Sequence, residues 1–361
     1  MSLIDHRRFL HQIPELAFDL PKTLAYIESV LKELPCKLVK PAPSSLCAFF
    51  DFGKEDALAF RADMDALPVP ERTGLPFAST HEGKMHACGH DGHMAMLLGF
   101  GQWVAQQKEL PHNVLLIFQP SEETIGGAKP LCESGVLAEY KVKAVFGTHL
   151  WPDLPVGVVS TRPGSMMCRS SEITLNVTGR SCHVARSEEG LDALDAAMQW
   201  LLGAKELEAG LPPHVLRLLK MGKMEAGTVR NAVAGSARLE GTLRSFEDET
   251  FDYLKEGLEK LTARIQGETG CTLDFTIAPS YPAVTNDPQV YERVQEICPT
   301  EYLEKPVKIA EDFSWYQRFA PGIFFFLGCG PAPALHSQNF NFDEKTLDHG
   351  LDLFCKLAKE Y

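Results

Sequence analysis

Two patterns of apolar residues divide the chain. In the first half, and again near the C-terminus, short uninterrupted apolar runs such as Val114–Phe118 alternate with segments of helical periodicity. An uninterrupted run is typical of a strand buried on both faces, in a sheet covered by helices. The predicted strands are 46–50, 57–61, 113–118, 142–147 and 322–327, and the predicted helices are 21–34, 92–107 and 343–359. These elements predict an α/β domain.

The middle of the chain has a different pattern. Ile173, Leu175 and Val177 alternate with polar residues, and residues 238–244 do the same, which is typical of strands with one buried face. Because the pattern changes on both sides of this region, we expect an inserted α+β domain at 168–279, within an α/β domain made of 1–167 and 280–361.

Two helices are predicted in the insert. One covers 191–207, and a second begins near Phe251, where apolar residues recur at steps of three and four. Ser245 followed by Asp248 resembles a capping signal for this second helix.

Composition and charge narrow the class of protein. The 361 residues are 45% hydrophobic and 23% charged, so a disordered, collagenous or coiled-coil protein is excluded. The net charge is −13, from 35 basic and 48 acidic residues, with no basic run. Binding to nucleic acid is therefore not expected, because neutralising phosphates needs clustered cations.

Location is predicted from apolar length and cysteine usage. The N-terminus carries charges where a secretory signal needs an apolar stretch, and no segment approaches about 18 uncharged apolar residues. The ten cysteines are scattered, without a CxxC pair. We expect a soluble cytoplasmic protein with reduced thiols and no membrane partner.

Residues 86–93, His-Ala-Cys-Gly-His-Asp-Gly-His, are the densest cluster of metal-capable side chains. Imidazole and thiolate are the usual ligands of zinc and similar divalent ions, and the two glycines allow a tight fold that aims side chains at one point. This segment follows the predicted strand 57–61 and opens a helix. It therefore predicts a metal site.

Similar side chains follow four predicted strands. They are Asp63 and Asp65, Glu122 and Glu123, His149, and His336. Sites in open α/β sheets assemble at the carboxyl edge of the strands, so we expect these residues to converge with the 86–93 cluster. Taken singly, the glutamates could be a solvated acidic pair and the aspartates turn or cap residues.

Eight segments in family order carry a resemblance. They are RADMDALP (61–68), TGLPFAS (73–79), HACGHDGH (86–93), QPSEE (119–123), GTHLWP (147–152), GRSCHVAR (179–186), EDF (311–313) and LHSQNF (335–340). The chain resembles the metallopeptidase family of aminoacylase, hippurate hydrolase, N-acetyl-diaminopimelate deacetylase and the auxin-conjugate (indole-acetyl-amino-acid) amidohydrolases. The resemblance implies that 1–167 and 280–361 form a catalytic metal-binding domain and that 168–279 is a lid or dimerisation domain.

The resemblance also implies roles for residues. It makes Glu122 the general base of amide hydrolysis, in which two divalent ions activate a water molecule without a covalent intermediate. The implied ligands of two ions per subunit are Cys88, His90, Glu123, His149 and His336. Zinc, manganese, cobalt and nickel all suit this donor set. Asp63, Asp65 and Asp91 are expected to orient the ligands, while His86 and His93 either do so or belong to the core.

Further roles are implied in the insert. His183 is the candidate for holding the oxyanion, in its own subunit or in the partner of a homodimer. Asn231 and Arg244 are expected to grip the substrate carboxylate, since arginine offers a bidentate fork.

The functional alternatives stay open at this point. The first interpretation is hydrolysis of N-acyl amino acids, with an acetyl or aromatic acyl group. N-acetyl-diaminopimelate deacetylation in lysine biosynthesis and dipeptide hydrolysis are the alternatives within the class. An inactive metal-binding homologue is the alternative from another class, although a homologue of that kind is free to lose Glu122. A dinucleotide-dependent dehydrogenase is set aside because no GxGxxG follows an early strand.

Overall fold

A computed structural model describes residues 1–124 and 126–361. The chain separates into two compact units. The first comprises Met1–Met166, Val284–Pro306 and Glu311–Tyr361, and the second comprises Met167–Ala283 and Val307–Ala310.

Helices and strands alternate along most of the chain. The strands are β1 Lys37–Val39, β2 Leu46–Phe50, β3 Ala57–Asp63, β4 Asn113–Gln119, β5 Val142–Pro155, β6 Val159–Thr161, β7 Gly164–Met167, β8 Arg169–Thr178, β9 Arg217–Ala226, β10 Ser236–Ser245, β11 Thr272–Ile277, β12 Val284–Asn286, β13 Glu301–Tyr302 and β14 Gly322–Gly330. The α-helices are α1 Leu3–His11, α2 Pro21–Leu31, α3 His90–Val104, α4 Ala128–Glu133, α5 Val136–Glu139, α6 Ala193–Ala209, α7 Asp248–Thr269, α8 Pro288–Ile297 and α9 Thr346–Glu360. Short 3₁₀ helices cover Val184–Glu189 and Asp312–Arg318.

The first unit is built on a mixed sheet in the order β1-β2-β4-β3-β5-β14-β6-β13. Its four central strands, β4, β3, β5 and β14, are parallel to one another, whereas β2 joins β4 and β6 joins β14 antiparallel. Strands β3, β4 and β14 are buried along their whole length, as their uninterrupted apolar runs predict. Phe60, Phe100 and Phe354 join β3, α3 and α9 in one core. The predicted α/β class is confirmed.

The second unit has an antiparallel sheet in the order β11-β8-β10-β9. Leu175, Leu239, Trp200 and Leu254 bury one face of this sheet against α6 and α7. The polar residues that alternate with the apolar ones occupy the opposite face. The sheet therefore has one apolar face and one polar face.

Several elements differ from the sequence-based expectations. The capping prediction is wrong: α7 begins after Glu247 without a side-chain cap, because Ser245 is the last residue of β10 and pairs with Arg169. Strand β5 continues to Pro155. Residues 307–310 belong to the second unit, since the Cys168 amide donates to the Ile309 carbonyl at 3.0 Å. The assignment of the second unit as a lid or dimerisation domain stays a prediction.

Two further features are the state of the cysteines and the apolar character of the helices. All ten cysteines are free. Among the described residues, none of the helices combines the length and the apolar character that a membrane crossing demands.

Candidate functional site

The parallel arrangement of β4, β3, β5 and β14 brings their carboxyl ends to one edge of the sheet. Asp63 ends β3, and Glu122 and Glu123 follow β4. His149 lies within β5 rather than beyond its end, paired in register with Phe326 of β14. Helix α3 starts at His90, so the 86–93 segment reaches the same edge.

The five predicted metal ligands lie together there. The Cys88 Sγ atom is 3.3 Å from His149 Nε2 and 3.3 Å from His336 Nε2. His336 Nε2 and His90 Nε2 are 3.2 Å and 3.9 Å from Glu123 Oε1. Two donor atoms on one tetrahedral zinc ion lie about 3.5 Å apart, so these separations suit shared coordination.

The orientation of the histidine rings leaves lone pairs facing this cluster. His149 Nδ1 donates to the Leu150 carbonyl at 2.7 Å, and His90 Nδ1 donates to the Asp65 carbonyl at 2.7 Å. In each neutral ring Nε2 then carries the lone pair, which is the arrangement metal-ligating histidines adopt. Burial and the neighbouring His93 lower the pKa of His149 to about 3, so its ring is neutral.

Unpartnered polar atoms test whether the residues fit a metal. His90 Nε2 and Glu123 Oε1 are buried without a hydrogen-bond partner in residues 1–124 and 126–361; the His336 contact of Glu123 lacks hydrogen-bond geometry. Unsatisfied buried polar atoms are costly, and a cation would satisfy both. Cys88 belongs to two donor groups, one with His90 and His149 and one with Glu123 and His336, each spanning at most 4.8 Å. The residues fit two adjacent divalent cations.

Asp65 holds three parts of the cluster in place. Its Oδ1 accepts from the Glu122 amide at 2.9 Å, and its Oδ2 accepts from the Glu123 amide at 3.1 Å. Its own carbonyl accepts from His90. Burial raises the pKa of Asp65 to about 6. This carboxyl group therefore orients both glutamates and one histidine.

The backbone is strained on both sides of the cluster. Ser121 has φ 60° and His336 has φ 65°, in the left-handed region that residues other than glycine rarely adopt. Such conformations cost about 1–3 kcal/mol and concentrate at functional sites. The turn at Ser121 precedes Glu122, and the amide of His336 donates to the Ala87 carbonyl at 2.8 Å. Both strained residues thus lie directly at the cluster, one of them a predicted ligand and the other next to Glu122.

Arg61 was not assigned a role from the sequence, yet it organises the floor of the site. This fully buried guanidinium contacts Asp63 at 2.8 Å, Glu311 at 2.9 Å and Asp312 at 2.8 Å. Its Nε donates to Gln119 at 2.9 Å. The available signal was a charged residue inside the apolar run 57–62, which requires a buried partner.

Glu122 lies beside these carboxylates. Its ligand atom is within 4.8 Å of those of Glu311 and Asp312. Burial, followed by the charges of Glu311 and Glu123, raises the pKa of Glu122 well above its usual range. In these surroundings the carboxyl group favours its protonated form, and adjacent divalent cations would favour the carboxylate form that a general base requires.

The remaining residues of the 86–93 segment have other contacts. His93 Nδ1 donates to Asp63 at 2.6 Å, and its Nε2 accepts from the Leu150 amide at 3.0 Å, so both nitrogens are occupied. Asp91 Oδ2 accepts from Arg7 and His11 of α1, and within residues 1–124 and 126–361 the Asp91 side chain forms no hydrogen bond or ion pair with a predicted ligand. His86 is buried, and burial lowers its pKa to about 3.

The other predicted residues, His183, Asn231 and Arg244, belong to the second unit. His183 Nδ1 accepts from the Ala185 amide at 3.1 Å, at the start of a 3₁₀ helix. The Val184 amide donates to the Asn231 carbonyl at 3.1 Å, and His183 pairs with Ala232, so the segments that carry His183 and Asn231 are adjacent. Arg244 lies on β10, and its Nη1 donates to the Lys308 carbonyl. Their catalytic and binding roles stay predictions.

Comparisons with known proteins show which family the chain is similar to. The model of peptidase family M20/M25/M40 matches residues 59–360. An N-acetyldiaminopimelate deacetylase of Oceanobacillus iheyensis is 35% identical over 370 residues, covering 100% of both chains. A protein of the same name from Shouchella clausii is 33% identical, covering 96% of this chain and 94% of its own.

A solved structure is also similar. The Bacillus subtilis YxeP protein, described as a dinuclear metal-binding peptidase of the M20 family, has a TM-score of 0.84 and 31% identity, covering 99% of this chain and 96% of its own.

Proposed function

The chain belongs to peptidase family M20/M25/M40, and we propose on that premise that it is a metal-dependent amidohydrolase that removes the acetyl group of N-acetyldiaminopimelate. The observation that carries the proposal is the buried Glu122 carboxyl group beside a donor set that fits two divalent cations. This pairing of a strong proton acceptor with metal-capable side chains suits hydrolysis of an amide.

The choice of substrate rests on the relatives. Two relatives that cover nearly the whole chain are named N-acetyldiaminopimelate deacetylase. They support the alternative of the sequence-based interpretation over its first choice, hydrolysis of N-acyl amino acids in general. The general class still contains the proposed reaction, and dipeptide hydrolysis ranks behind both. An inactive homologue is disfavoured because Glu122 and the complete donor set are present.

The metal ions would be held by the thiolate, the three imidazoles and one carboxylate. These residues are Cys88, His90, Glu123, His149 and His336. When bound, two divalent ions would lower the pKa of a water molecule and polarise the amide carbonyl.

Glu122 accepts the proton of the attacking water and passes a proton to the departing amine. Asp65 keeps the Glu122 and Glu123 backbone amides fixed while this happens. Asp63 is held between Arg61 and His93, which limits movement beneath the cluster.

The second unit supplies the remaining proposed roles. His183 would donate a hydrogen bond to the oxyanion, a contribution of about 3–4 kcal/mol where such donors have been removed. Asn231 and Arg244 would bind a carboxylate of the substrate. Whether His183 acts in its own subunit or across a homodimer is decided by mixing two inactive variants, His183→Ala and Glu122→Gln: only action across the dimer restores activity.

Substrate comparison tests the proposal. We would measure acetate and amine release by the zinc- or manganese-loaded enzyme from N-acetyl-L,L-diaminopimelate, N-acetyl-L-norleucine, hippurate and a dipeptide. We expect kcat/KM to be highest for N-acetyl-L,L-diaminopimelate. A higher value for hippurate or the dipeptide would contradict the proposed substrate, and no hydrolysis of any of them would contradict the reaction class.

A further inference from the structure

A groove lies on the polar face of the second unit's sheet, opposite the face covered by α6 and α7. Its volume is about 700 Å³, within the range of small-molecule sites. Glu172, Thr242 and Lys220 stand in one row across β8, β10 and β9, and Arg244 stands in the next same-face position. The groove also reaches Lys308, which belongs to the same unit.

The local sequence produces this depression. The pairing of β10 with β9 shifts register between Glu240 and Gly241, which leaves Gly222 as an extra residue in β9. Gly222 and Gly241 both line the groove and have no side chains to fill it. A Cβ atom on Gly241 would overlap the Lys220 carbonyl oxygen, so glycine is required there.

Part of the charge in the groove is neutralised internally. Arg238 contacts Glu240 at 2.6 Å, and Lys223 lies 3.8 Å from the same carboxylate. Lys220 contacts Glu208 at 3.1 Å. These lining side chains are matched by partners on the protein.

Three charged side chains remain. Arg244, Lys308 and Glu172 form no ion pair with any residue in 1–124 or 126–361. One guanidinium nitrogen of Arg244 donates to the Lys308 carbonyl, and its Nε is buried without a partner. The edge of Arg244 formed by Nε and Nη2 is thus available as a fork for a carboxylate.

We infer that this groove binds a free α-amino acid group, with its carboxylate at Arg244 and Lys308 and its ammonium at Glu172. Two unpaired cations and one unpaired carboxylate on one face complement the two charges of such a zwitterion. N-acetyldiaminopimelate carries this group at its unacetylated end, so the inference rests on the proposed function. It adds a determinant that separates this substrate from N-acetyl amino acids with apolar side chains.

Binding of two matched probes to the full chain tests the inference. L,L-diaminopimelate and heptanedioate differ only in the two ammonium groups, and calorimetry would give both dissociation constants. We expect L,L-diaminopimelate to bind about tenfold more tightly, as a charge-assisted hydrogen bond provides. Glu172→Gln should remove that difference while leaving heptanedioate unchanged. Lys308→Met should weaken both probes by the same factor.

The control is Glu225→Gln, an exposed carboxylate of β9 outside the lining, which should change neither constant. Equal binding of the two probes to the wild-type chain, or an unchanged difference in Glu172→Gln, would overturn the inference. Failure of the proposed function is distinguishable: the chain would then bind L,L-diaminopimelate through Glu172 but release no acetate from its N-acetyl derivative. If Glu172→Gln did not change acetate release, the proposed function would be retained but the role of Glu172 in substrate binding would be contradicted.

Discussion

Replacement of Arg61 by methionine should destabilise the first unit strongly. Methionine keeps much of the volume but removes the guanidinium from Asp63, Glu311 and Asp312, all of which are buried. Removing one partner of a buried ion pair costs about 3–5 kcal/mol, because the remaining charge is left without compensation.

The pKa values of the acidic partners of Arg61 show which of them accounts for the loss of unfolding free energy. Burial, only partly offset by Arg61, raises the pKa of Glu311 to about 8, so this group is largely protonated at neutral pH and loses little. The ionised Asp63 beneath the ligand cluster loses most: burial raises its pKa, but His90, His93 and Arg61 together hold that pKa well below its usual range. We therefore expect a loss of about 3–5 kcal/mol rather than a multiple of it, and a fall in Tm of roughly 10 °C.

Urea and thermal unfolding of the metal-free protein, followed by circular dichroism, would measure this loss. The matched control is Arg293→Met on α8, whose exposed pair with Glu296 should contribute less than about 1 kcal/mol. A loss below about 1 kcal/mol for Arg61→Met would refute the view that Arg61 neutralises the buried carboxylates.

Three further predictions concern pH, packing and metal. Burial opposes protonation of His11, but Asp91 and Glu71 raise its pKa to about 9; its stabilisation is therefore complete below pH 6.5 and lost as the pH rises through 9. The unfolding free energy should fall by roughly 3 kcal/mol over this window, and urea titrations of His11→Asn should lack that slope. Gly127→Ala should lower both Tm and kcat, because the new Cβ atom would overlap the Pro120 carbonyl oxygen. Gly267→Ala, where a Cβ atom would meet open space, should leave Tm unchanged or raise it. Equal effects of the two substitutions would contradict the packing argument. Chelation should lower Tm and added zinc should restore it. At a hundredfold excess of free zinc over its Kd, binding should raise the unfolding free energy by about 2.7 kcal/mol, and Cys88→Ala should weaken this response. No Tm response to zinc in the wild-type protein would contradict the fit of the residues to a metal.

The sequence predicts the sheet well because the buried strands carry the information locally. Runs such as 113–118 have no polar position, so only a doubly covered strand accommodates them. The capping signal fails for a nonlocal reason: Ser245 pairs in β10 with Arg169, so it cannot also cap α7. Whether a residue such as Ser245 lies in a strand or caps a helix thus depends on a pairing partner that is distant in the sequence.

The sequence predicts the metal-capable residues of the candidate site but not the acidic residues beneath them. The metal-capable residues stand in recognisable segments, and the parallel strands bring them to one edge. The acidic partners of Arg61 could not be identified, because Glu311 and Asp312 lie about 250 positions further along the chain. A buried charge signals that a partner exists, but only the fold selects it.

The most direct test of the central claim is the activity of Glu122→Gln measured together with its metal content. Because Glu122 is placed as the base and not as a ligand, the variant should retain the metal content of the wild-type enzyme. Its kcat for N-acetyl-L,L-diaminopimelate should fall by about 10²–10⁴-fold, the contribution of a positioned general base. Near wild-type hydrolysis by a fully metal-loaded Glu122→Gln enzyme would contradict the account.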